Sequence, residues 1–78
     1  MISKLKEAFA NALAISADQV HDDLKYRGIP EWDSISHMVL ISELEEEFDV
    51  EIETDDVIDM SSFQKAKEIL IKYGVNFG

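Results

Sequence analysis

The sequence predicts an all-α protein, a small antiparallel helix bundle with three longer helices and one short one. Three observations carry this. Apolar residues recur at helical spacing in three separate segments. Residues suited to capping or ending a helix flank those segments. Only one short stretch alternates like a strand, and a lone strand cannot make a sheet. With 78 residues, the expectation is a single domain over 1–78, which on folding buries about 60% of the surface its unfolded chain exposes.

In chain order, Ile2, Leu5, Phe9, Ala12 and Leu13 follow an i, i+3, i+7 spacing over a polar or Ala-rich background, the pattern of an amphipathic first helix. Residues 16–30 mix Asp18, His21, Asp22, Asp23, Gly28 and Pro30 with scattered Val20, Leu24, Tyr26 and Ile29. No period survives there, so this is a long loop with at most one short turn, pinned to the bundle by its apolar residues. Pro30 disfavours helix at Ile29. Asp33 or Ser34 then caps a second helix by accepting an N–H from its first turn. From Ile35, the residues Met38, Leu40, Ile41, Leu44 and Phe48 form its apolar stripe, and it ends near Phe48 or Asp49. Met38 and Met60 are expected in the core, either as gap-fillers or as a compliant lining able to admit an apolar chain.

Val50, Glu51, Ile52 and Glu53 alternate, and read as an extended connector. Thr54 followed by Asp55 and Asp56 resembles a cap with acids in the first turn, opening a short helix to about Asp59. Ser61 or Ser62 caps the last helix, which turns Phe63, Ala66, Ile69 and Leu70 inward and stops at Gly74.

Most of chemistry is excluded by composition. There is no cysteine, so disulfides, thiolate metal sites and a thiol nucleophile belonging to the polypeptide are out. The three glycines, at 28, 74 and 78, cannot build a phosphate-binding loop. His21 and His37 lack a zinc-type partner spacing and read as surface or packing residues. Asp49, Glu51, Glu53 and Asp55 alternate like a calcium loop, but Thr54 stands where that loop needs Gly and Met60 where it needs Glu. Asp33, Ser34 and His37 have the residue types of a hydrolase triad without the strained elbow that exposes such a serine. The expectation is therefore not an enzyme.

The net charge is −10, unfavourable for nucleic acid or an anionic membrane as partner. No apolar run is long enough to span a bilayer, and Lys4, Lys6 and Glu7 interrupt any signal-peptide core. A cytoplasmic monomer is expected. The charge is also concentrated. Between Arg27 and Lys65 lie twelve carboxylates and no Lys or Arg.

One serine decides the functional reading. Ser34 follows Asp33 and precedes Ile35 at the predicted start of the second helix, whose end reads L-E-E-E-F-D-V-E-I from Leu44. With Val57, Met60 and Phe63 downstream, residues 29–70 resemble the acyl carrier protein family. The resemblance implies that Ser34 receives 4'-phosphopantetheine from a phosphopantetheinyl transferase. Asp33 would support that modification by helping the transferase hold magnesium and coenzyme A. The arm would hold acyl or aminoacyl intermediates as thioesters for acyl-loading and acyl-transfer enzymes, as in fatty acid biosynthesis. A phosphodiester at a helix N-terminus would meet unpaired N–H groups and the positive end of the dipole.

Residues Ile35 and Met38 are the expected apolar docking contacts, with Glu43, Glu45, Glu46, Glu47, Asp55 and Asp56 facing basic patches on partners. Local stability does not account for those acids. Glu43 and Glu47 repel at i, i+4 by roughly 0.2–0.5 kcal/mol, and negative charge at a helix C-terminus opposes the dipole. Ser36, His37, Met38 and Val39 stand where fatty-acid carriers usually bear acids, which with Trp32 points to a specialised carrier; Trp32 reads equally as a packing anchor. The alternative is an unmodified acidic interaction module, binding basic partners through the second helix while Ser34 only caps.

Overall fold

The computed structural model describes residues 2–77. Its element order is α1 (Ile2–Leu13), a single 3-10 turn (Ala17–Gln19), α2 (Ser34–Phe48), α3 (Thr54–Asp59) and α4 (Phe63–Lys72). Three longer helices and a short one, with no strand among the described residues, match the hydrophobic periods of the three and the cap chemistry expected of the fourth. No helix among these residues is long and apolar enough to cross a membrane.

The three longer helices share one core. Leu5, Phe9 and Leu13 of α1, Leu40 and Leu44 of α2, and Phe63, Ala66 and Leu70 of α4 are all buried. The segments between helices add Val20, Leu24, Trp32, Ile52 and Met60. At the centre Phe9 meets Trp32 edge-on at 5.5 Å and Phe63 edge-on at 5.0 Å. These T-shaped contacts bring a positive ring edge to a negative face, so they add directionality to the area buried. Trp32 is completely buried although it precedes the helix, which decides for the packing-anchor reading.

The helix ends follow from local chemistry. α1 closes on Ala14 in the left-handed region (φ 57°), with Ile15 N–H reaching back to Ala10 O at 3.0 Å. α2 closes the same way on Asp49 (φ 53°), with Val50 N–H donating to Glu45 O. Ser62 caps α4 by accepting from Lys65 N–H at 3.0 Å, and Gly74 at φ 94° supplies the left-handed stop. The short helix corrects one expectation. Thr54 lies inside α3, and the N-cap is Glu53, which makes no side-chain cap bond. Its backbone carbonyl receives the Asp56 and Val57 N–H groups instead.

The long loop is tied down. Tyr26 N–H donates to Ser61 O and Phe63 N–H to Leu24 O, both at 2.9 Å, pairing Lys25 with Ser62 across the α3–α4 junction. That pairing fixes the loop's exit, and with it the place where α2 begins.

Candidate functional site

The start of α2 is built by its neighbours in sequence. Asp33 is the N-cap, its backbone extended and its Oδ1 accepting from Ile35 N–H at 3.1 Å and Ser36 N–H at 3.0 Å. Ser36 returns the bond through its Oγ, which accepts from Asp33 N–H at 2.9 Å and donates to Glu31 O at 2.6 Å. The Ser36 N–H, more than any other group, holds the Asp33 carboxyl below the usual aspartate range.

With both cap roles filled, Ser34 has none. It is the first residue of the helix, exposed, and its hydroxyl takes no hydrogen bond from or to a described residue. This settles the choice between Asp33 and Ser34 as cap. It also corrects an expectation about anions: the Ile35 and Ser36 N–H groups are already taken by Asp33. A phosphate on Ser34 would have the helix dipole in its favour but not those two donors.

Ser34 stands on the rim of a groove of about 310 Å³ between α2 and α3. His37 and Met38 line it from α2, Val57 and Ile58 from α3, and Tyr26, Met60 and Ser61 from the segments between helices. Met38 is 56% exposed, so the prediction that it belongs to the core was wrong. The helix turns it to the groove mouth because Leu40, Ile41 and Leu44 already fill the inward face. Met60 is buried, as expected.

His37 links the two walls. Trp32 Nε1–H can only donate, so His37 Nδ1, 3.0 Å away, must accept. The proton then sits on Nε2, which donates to Val57 O at 2.8 Å. The imidazole also stacks on the Trp32 indole, with planes 23° apart. Both ring nitrogens are committed, and Asp33 is committed to backbone amides. These three side chains therefore cannot relay a proton from Ser34 as a hydrolase triad does.

Around this groove lies a mixed surface. Ile35 (78% exposed) and Ile58 (76%) flank it with Met38 and Val39. The sequence did not single out Val39 or Ile58 as docking contacts, because Val39 lies beside the α2 stripe and the six-residue α3 that carries Ile58 is too short to show a period. Of the acids, Glu46, Glu47 and Asp55 are exposed and Glu43 is half-buried. Glu45 is half-buried, with Oε2 accepting from Ile52 N–H at 2.9 Å. Asp56 is buried and bonds Lys72 Nζ and Tyr73 Oη. These two acids are engaged inside the fold, unlike the other four. No cluster of metal-ligating side chains occurs among the described residues.

Two comparisons bear on this arrangement. Residues 3–69 match the family model described as the phosphopantetheine attachment site. An acyl carrier protein of Chlorobium phaeobacteroides (strain DSM 266 / SMG 266 / 2430) is 30% identical over 69 residues, 88% of this chain and 88% of that one.

Proposed function

The chain belongs to the acyl carrier protein family, and on that premise we propose that Ser34 is the residue that bears its prosthetic arm. Family membership makes the protein a carrier and not an enzyme, with 4'-phosphopantetheine as its cofactor. The arm supplies the thiol that a cysteine-free chain lacks, and holds acyl intermediates as thioesters.

A single observation carries the choice of Ser34. It is an exposed hydroxyl, on the first residue of a 15-residue helix, unused by the cap and opening on an apolar groove. Asp33 supports modification by fixing the helix start and by keeping a carboxylate beside that hydroxyl. The partners are a phosphopantetheinyl transferase and acyl-handling enzymes. Their basic patches meet Glu43, Glu46, Glu47 and Asp55 while Ile35 and Met38 enter apolar sockets, a combination that speeds encounter without slowing release. Residues 1–78 act as a single, monomeric carrier domain.

Co-expression with a broad-specificity phosphopantetheinyl transferase tests the assignment. Intact-protein mass spectrometry should show the phosphopantetheine increment in the wild type and none in Ser34→Ala. An unmodified wild type, or a modified Ser34→Ala, would refute it.

A further inference from the structure

Polar ties, more than packing, hold α3 in place. Its one buried residue is a carboxylate, Asp56, which bonds Lys72 and Tyr73 at the end of α4. The Tyr73 hydroxyl also accepts the Glu53 N–H that begins the helix. Those bonds secure α3 to α4. Among the described residues, its side-chain hydrogen bond to α2 is the one from His37 Nε2–H to Val57 O, at 2.8 Å.

That bond belongs to a ring whose other nitrogen is also spoken for. The Trp32 indole N–H donates to His37 Nδ1 at 3.0 Å, and the two ring planes are 23° apart, which keeps the bond close to the plane of both. Trp32 is fully buried and set edge-on to Phe9 at 5.5 Å and to Tyr26 at 6.2 Å, so the indole has no room to turn. A second proton can enter His37 only at Nδ1, on the lone pair that the indole uses. Both nitrogens are then donors, and two N–H groups confront each other across that contact. The half-buried imidazole is the partner able to move, and its far end holds Val57.

Nothing around the ring compensates a positive charge. No carboxylate lines the groove, where Tyr26, at 5.3 Å from His37, is the other titratable side chain. The nearest cation on that side, Arg27, lies over the Tyr26 ring. Asp33, one turn before His37, gives its carboxylate to the Ile35 and Ser36 N–H groups, and the buried acid of α3 is turned to Lys72 and Tyr73.

We infer that His37 is a proton-operated clasp between α2 and α3. Neutral, it locks Val57 against the Trp32 anchor; charged, it releases the indole, and α3 shifts about its ties to α4. Imidazoles ordinarily change charge between about pH 5 and pH 8, so the clasp responds to mild acid. The inference does not depend on what Ser34 carries, although the residues that move, Val57 and Ile58, flank the groove on whose rim Ser34 stands.

Nuclear magnetic resonance on the unmodified full chain, isotope-labelled and titrated from about pH 7.5 down to about pH 5, tests it. The His37 ring protons should titrate. At the same midpoint the Trp32 indole N–H signal should move, and its protection from solvent exchange should fall roughly tenfold, as for the loss of a single buried hydrogen bond. The Val57 and Ile58 amide signals should move with it, while those of Leu40 and Leu44 in the core hold still. His37→Gln, which has no titrating ring, should give flat Trp32 and Val57 signals over that range. A wild-type indole that ignores His37 titration overturns the inference, as does a ring still neutral at about pH 5. So does a core that moves in step, which would mark global unfolding, or the same response in folded His37→Gln. If that variant does not fold, the wild-type titration decides.

Discussion

Asp33 and Ser34 divide two tasks that a dipeptide at a helix start could have merged. Asp33 closes the backbone donors of α2, and Ser34 is left with a hydroxyl that the fold does not use. Thermal melts should therefore separate them. Ser34→Ala is expected to stay within roughly 0.5 kcal/mol of wild type, as surface changes away from caps do. Asp33→Ala should melt at a clearly lower temperature, because it uncaps the helix. A Ser34→Ala variant as unstable as Asp33→Ala would return the serine to a structural role. The D-S pair was readable in sequence because caps are local chemistry. The posture of His37 was not: its partners, Trp32 and Val57, lie five residues before and twenty after it, and only the packed fold brings them together. The same applies to Met38 and Met60, two like residues sent to opposite environments.

At the scale of elements, the three longer helices were legible because each bears an apolar face of helical period. The short α3 was less so. Its six residues give too few turns for a period, and its end depends on groups from α4. Asp56 bonds Lys72 and Tyr73, and the Tyr73 Oη accepts the Glu53 N–H that begins the helix. Lys72 first, then Tyr73, hold the Asp56 carboxyl below its ordinary range. A carboxylate with a depressed native pKa stabilises the fold fully above its unfolded value, near 3.9. That contribution disappears as pH falls through the lower native value. Urea midpoints followed from neutral pH down to about pH 2 should thus fall in the wild type. In Asp56→Asn they should start lower and fall less. An identical acid limb in both would show that the α3–α4 tie is not what protonation breaks.

For the molecule as a whole, the dominant imbalance is electrostatic: twelve carboxylates between Arg27 and Lys65, with no base among them. Only Asp56 and Asp59 of these reach across to α4 lysines. Raising ionic strength to about 0.15 M shortens the Debye length to about 8 Å, so the melting temperature should rise with salt, and further with magnesium. A flat or falling response would mean that the ion pairs Asp22–Lys67, Asp56–Lys72 and Asp59–Lys65 outweigh the repulsion. The burial of Trp32 has one more consequence. It is the chain's one tryptophan, wedged between Phe9 and His37, so the protein's indole emission comes from the core directly behind the groove-lining His37. Occupancy of the cleft could then be followed in real time, without a dye, by the colour and brightness of a single indole.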